Sequence, residues 1–203
     1  MWIQTRVDVA MSESTRPGRP RSTDVDQAVM SAALDLVSAS GFRAVTIEAI
    51  AAKTGVAKTS IYRRWPNRAA VIMDAFLARV GTQPLFAPDE GFLEGLRRQL
   101  RTMAKSFRGE DGELVKALLA ESQFDPDLAS AFHDRWTMPR REMALEHFRA
   151  GAERGAIRRD ADLEVAIDML YAPFYYRLQM GTGPLSNAFV DGLFDQVMQG
   201  LRP

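Results

Sequence analysis

Cysteine is absent from the chain. That excludes a disulfide scaffold, a thiolate metal site and a cysteine nucleophile. Histidine is nearly as scarce, with His133 and His147 alone. On one helix they would stand about four turns apart, too far to share a metal ion. No apolar run approaches the roughly 18 residues needed to cross a bilayer. The opening stretch, "MWIQTRVDVAMSESTRPGRPR", has no apolar core of a secretory signal, so a cytoplasmic protein without a membrane partner is expected. The H-E-x-x-H, P-loop and G-x-S-x-G motifs are missing too. "GTGPLS" imitates a dinucleotide fingerprint for two glycines, then breaks at Pro184 with no strand ahead of it. Neither a catalytic residue, a cofactor nor a metal is expected, and strand alternation and internal repeats are lacking.

Net charge is also absent, but only in the sum. The 26 basic and 26 acidic residues cancel. From Arg16 to Arg68 nine Lys or Arg stand against four Asp or Glu, whereas the chain beyond carries sixteen against twenty. A basic first third on a mildly acidic remainder suggests a polyanion-binding module joined to a body with another task. With 46 % hydrophobic residues there is enough apolar mass for a sizeable core.

The periodicity predicts an all-α fold. Residues 1–22 carry Gly, Pro, Ser, Thr and Arg without an apolar period and read as a disordered arm. In "STDVDQAVMSAALDLVSASG" Val25, Val29, Ala32, Ala33 and Leu36 recur at helical spacing. Thr23 with Asp26 suggests a capping box there, and Gly41 a stop. "TIEAIAAKTG" predicts a short helix capped by Thr46 and closed by Gly55. A second short helix runs from about Ala57 to Trp65, where Pro66 ends it, and Asn67 caps a fourth through Val80. Two short helices joined by a glycine turn make a helix-turn-helix, so residues 23–80 form a head. The Pro- and Gly-bearing "GTQPLFAPDEG" marks the boundary to a helical body over residues 81–203. Its expected helices are Glu90–Phe107, Gly112–Gln123, Pro126–Glu153 (bent near Pro139), Asp162–Met180 and Asn187–Leu201. Leu93, Leu96, Leu100, Met103, Ala104 and Phe107 lie in phase on the first of these.

"GVAKTSIYRRWPNR" puts four cations, a tyrosine and a tryptophan into one short segment. On a helical wheel Ile61 and Trp65 coincide, while Lys58, Thr59, Tyr62 and Arg63 share the opposite arc, flanked by Ser60 and Arg64. A run of charge on one helix is ordinarily a solvated face. Three neighbours favour a nucleic-acid reading instead. The helix-turn-helix spacing presents this helix to a major groove, which admits one α-helix. Thr46 and Arg68 stand at helix N-termini, where backbone N–H groups bind phosphate. "RPGRPR" tethers Arg16, Arg19 and Arg21, suited to a narrow A·T-rich minor groove, although a plain basic tail has the same composition.

"GFRAVTIEAIAAKTGVAKTSIYRRWPNRAAVI" resembles the TetR family of bacterial transcriptional regulators, with the likeness running from about Val25 to Val80. "LYAPFYYRLQMGTGPL" is similar to one of its C-terminal subclasses. The resemblance implies a three-helix DNA-binding head, a connecting helix, a ligand-binding helical body and a homodimer built on the last two helices. By position, Thr46, Tyr62 and Arg68 would hold phosphates, and Lys58, Thr59, Ser60, Arg63 and Arg64 would approach bases or backbone. Ala57 stands where many members carry a capping Ser, and Arg68 where Lys is more common.

Tyr171, Phe174, Tyr175 and Tyr176 crowd around Pro173, and Met103, Phe107, Phe132 and Trp136 lie on earlier helices. Each by itself reads as core; together they suggest a cavity. Met103, Phe107, Phe132, Trp136, Tyr171, Phe174 and Tyr175 are the expected lining for a mostly apolar effector. Leu170, Phe189, Leu193, Phe194 and Val197 are the expected dimer face, a wide apolar stripe for a terminal helix. The resulting expectation is a ligand-responsive repressor on a palindromic duplex. A DNA-binding architectural protein without effector, or an all-α enzyme acting on a phosphorylated substrate, remain alternatives.

Overall fold

The computed structural model describes residues 22–82, 84–87 and 90–203; Arg16, Arg19 and Arg21 lie outside them. Among the described residues every regular element is helical. Helix α1 (Ser22–Ser40) leads through a short 3₁₀ turn (Phe42–Ala44) to α2 (Ile47–Thr54), α3 (Lys58–Tyr62) and α4 (Arg68–Val80). Thr23 lies inside the first turn of α1 rather than ahead of it, so the capping box is not formed, and Asp26 serves another partner described below. The N-caps at α2 and α4 do form: Thr46 accepts from the Ala49 N–H, and Asn67 from the Ala70 N–H. Gly55 closes α2 with φ 71°, a left-handed conformation that a side chain would oppose. Val29, Ala33, Ile50, Ile61, Trp65 and Ile72 are buried together and hold these helices in one unit.

The body consists of α5 (Phe92–Phe107), α6 (Glu110–Ser122), α7 (Pro126–Phe132), α8 (Met138–Glu153), α9 (Leu163–Met180) and α10 (Asn187–Gly200). Leu93, counted in the apolar phase of α5, is 46 % exposed. Phe92 takes the inward place instead, edge-on to Phe148 at 5.2 Å. It does so where α5 crosses α8 at Gly151, whose missing Cβ would stand 2.6 Å from the Phe92 ring.

The bend expected near Pro139 is a π-helical turn over His133–Thr137, between α7 and α8. A proline ring collides with the carbonyl four residues back and brings no N–H, and a wider turn relieves both. The same turn carries Trp136, which is what makes it matter for the site.

Candidate nucleic-acid interface and cavity

Helix α3 is held by its apolar seam. Ile61 is fully buried and Trp65 nearly so, with the indole N–H donating to Asp74 Oδ2 at 2.5 Å. No side chain caps its N-terminus at Ala57, so backbone N–H groups there stay open. Lys58, Thr59, Tyr62 and Arg63 are exposed, Tyr62 at 50 %. Lys58 pairs with Glu48 at 3.2 Å, a surface contact that a phosphate can replace at little cost. Arg63 reaches no partner among the described residues. Ser60 is half-buried on the flank.

Two cations assigned to this face are engaged inside the protein. Arg64 turns back to α1, with Nε 2.5 Å from Asp26 Oδ1 and Nη1 on the Ser60 carbonyl. Arg68 points at the body: Nη2 meets Asp125 at 2.6 Å and Glu121 at 3.2 Å, and Nη1 donates to the Phe42 carbonyl. Burial works against the charge of both Arg68 and Asp125, yet their mutual hydrogen bonds prevail, raising the arginine's pKa and lowering the carboxylate's. Helical spacing could not foresee this, because the acids lie 53 and 57 residues further along. A second bridge runs parallel to it: Asp74 of α4, already bonded to Trp65, pairs with Arg135 of the π turn.

A cavity of about 420 Å³ opens between the end of α4, α5, α8 and α9. Met103, Phe107, Trp136, Tyr171 and Tyr175 line it. Phe132 and Phe174, expected beside them, do not. Phe132 packs on Phe76 of α4 at 6.0 Å, and Phe174 on Phe189 of α10 at 5.9 Å, so both belong to the core.

The polar part of the lining was not foreseen. Tyr171 donates to Oε1 of the buried Gln99 at 2.9 Å, and the Trp136 N–H donates to the Tyr175 hydroxyl at 3.4 Å. Burial pushes both phenols above their ordinary pKa. Arg140 lies 3.2 Å over the Trp136 ring and donates to the Gly81 carbonyl, the C-cap of α4. Burial pushes its pKa down to about 10, which leaves it charged at neutral pH. One signal was legible: Arg140 follows Trp136 by four residues, one turn on.

The residues expected at the dimer face turn largely inward in the single protomer. Leu170, Phe194 and Val197 are already buried within their own protomer, and Arg97 stacks on the Phe194 ring at 4.1 Å. Phe189 and Leu193 are half-buried against the same core. The widest stripe of α10 therefore packs inward, fastened by Arg97 to Asp191 and Asp195. What remains open on α9 is Val165, Met169, Tyr176 and Met180, each more than half exposed and four or seven residues from the next.

Both parts of the chain match known families. Residues 29–74 match the family described as bacterial regulatory proteins, tetR family, and residues 87–197 match the tetracyclin repressor-like C-terminal domain. The chain is 34 % identical to the HTH-type transcriptional regulator YdeS of Bacillus subtilis, covering 93 % of this chain and 95 % of that protein. It is 30 % identical to the DNA-binding transcriptional repressor TetR of Mycobacteroides abscessus, over 84 % and 90 % of the two chains. The crystal structure of the TetR family transcription regulator SCO0332 superposes with a TM-score of 0.71 at 31 % identity, covering 89 % of this chain and all of the other.

Proposed function

The chain belongs to the TetR family of bacterial transcriptional regulators, and on that premise we propose that it is a repressor released from a palindromic duplex by a small, largely apolar effector. The observation that carries this reading is the double duty of Trp136. It lines the cavity, and its ring packs edge-on to Phe76 of α4 at 4.7 Å. An occupant that displaces Trp136 therefore displaces the helix on which the head is mounted.

On the duplex, Arg63 reads a base edge, while Lys58, Thr59, Tyr62 and the Thr46 N-terminus hold the backbone. A second copy seats on the exposed α9 stripe, and the two-fold pair presents two α3 helices to half-sites one helical turn, about 34 Å, apart. The effector favours the arrangement whose spacing no longer fits, and it acts only by as much as it prefers that arrangement. By linkage it binds the DNA complex more weakly by the same factor. The test selects a duplex from a randomised library and titrates it with compounds that raise the melting temperature. Equal affinity for selected and random DNA at matched salt counts against a specific regulator. No compound that both binds and alters duplex affinity leaves the effector without support.

A further inference from the structure

The cavity wall is rich in hydrogen-bond donors and poor in free acceptors. Arg98 is matched by Glu90 through two contacts, at 2.6 and 2.7 Å, and Arg141 by Asp168 and Glu164. Those carboxylates are thereby engaged. Among the described residues Arg140 meets no carboxylate, and its one hydrogen bond there is to the Gly81 carbonyl. A guanidinium has five N–H donors, so most of them stay unmet. The Tyr175 hydroxyl accepts from Trp136, and its own hydrogen has no acceptor among the described residues. Gln99 accepts from Tyr171 through Oε1, and its amide nitrogen meets no partner among the described residues.

A half-buried cation without a counter-charge is costly, and neighbouring donors add to the cost. An occupant that brings an anion removes it, through charge-assisted bonds that are shorter and stronger than neutral ones. A neutral occupant leaves the cost in place, and a cation would meet three arginines on the wall. The rest of the lining, Met103, Phe107, Ile167 and the Trp136 ring, suits an apolar body.

We infer that the effector is an apolar organic monoanion whose carboxylate-type group pairs with Arg140. One unmatched guanidinium calls for one negative charge. Arg140 also holds the C-cap carbonyl of α4 and covers Trp136, so the group that recognises the anion is the one that touches the end of the connecting helix. The inference rests on the cavity being the effector site.

The test uses two matched sets on the full chain: 2-naphthoate, 2-naphthamide and 2-naphthylmethylammonium; and octanoate, octanamide and octylammonium. Binding is read by calorimetry, and affinity for the library-selected duplex is read in parallel. In at least one set the carboxylate should bind about tenfold or more tighter than its amide, with the ammonium weakest. Arg140→Gln should bring the carboxylate down to the amide's affinity while leaving the amide within about twofold; Arg140→Lys should keep the preference. A tie between carboxylate and amide in both sets, a preference that survives Arg140→Gln, or no binding by any of the six overturns the inference.

The two readings fail differently. Amides or ammoniums that bind as tightly as their carboxylates in both sets and loosen the duplex sink the anion and keep the sensor. A carboxylate that needs Arg140 to bind yet leaves duplex affinity unchanged keeps the anion and sinks the sensor. A third measurement needs no ligand. Arg140→Met should leave the melting temperature of the free protein unchanged or raise it, because it removes an unmatched buried charge. A lower melting temperature would make Arg140 a structural prop and overturn the inference.

Discussion

The head and the body each present an arginine that meets no carboxylate among the described residues, and the two are held in opposite surroundings. Arg63 stands in solvent at the C-terminal end of α3, where water satisfies its charge and the absence of a partner costs nothing. Arg140 lies under protein against Trp136, where the same lack is expensive. An exposed cation suits a polyanion that arrives with its own counterions and leaves as salt rises. A buried one selects a ligand that completes it. The difference teaches that charge alone says little about a site until its solvation is known.

The sharpest way to break the comparison is to put a charge where the body has no room for one. Phe194→Glu should destabilise the protein by on the order of 3–5 kcal/mol or prevent folding, because the ring is 4 % exposed in its own protomer. Met169→Glu, on the open α9 stripe, should fold with a nearly unchanged melting temperature and sediment as a monomer. A folded, stable monomer from Phe194→Glu would return the dimer face to α10.

Next in size is the head. Arg63→Ala should cost about 1–3 kcal/mol on the selected duplex and much less on random DNA. Tyr62→Phe should weaken both alike. A uniform loss from Arg63→Ala would move that side chain from base to phosphate.

Arg68 lies between the two extremes, since it is a cation of the head satisfied by the body. Asp125→Asn keeps a capping side chain for α7 but weakens the bridge, at a cost on the order of 1–3 kcal/mol of stability. The freed guanidinium should then raise affinity for any duplex and steepen the salt slope by about one. Unchanged DNA affinity with lowered stability would restrict Arg68 to a structural role.

The smallest effects are in pH. Burial opposes the Asp125 charge, but the Arg68 bonds hold the pKa below its unfolded value, so its contribution is complete above about pH 4 and is lost as pH falls further. His147 is also lowered, chiefly by burial, and stacks on Phe86 at 3.8 Å. Its contribution is complete above about pH 6.5 and declines below that, through its folded pKa. The melting temperature should therefore fall in two steps on acidification. Asp125→Asn should flatten the lower step and His147→Gln the upper. A single step that neither substitution changes would refute both assignments.

Much of the head was legible because its signals are local. Gly55, the Thr46 and Asn67 caps, and the four-residue interval from Ile61 to Trp65 act within one or two turns, and the structure places them accordingly. The same locality explains the misses. Leu93 and Phe92 are neighbours on one helix, and only the crossing at Gly151 selects which turns inward. Phe132 and Phe174 share the composition of a cavity wall, yet Phe76 and Phe189 had claimed them for the core.

By itself, then, the sequence determined a helical protein with a basic helix-turn-helix head, since periodicity, caps and turn residues act over a few ångströms along one chain. Only the tertiary structure decided which cations are free. Arg64 and Arg68 read as equals of Arg63 until Asp26, Glu121 and Asp125 come within reach, and the role of Arg140 shows only where it closes over Trp136. The physical reason is that an arginine's role depends on its counter-charge and its exposure to water, and both are supplied by residues far away in the chain.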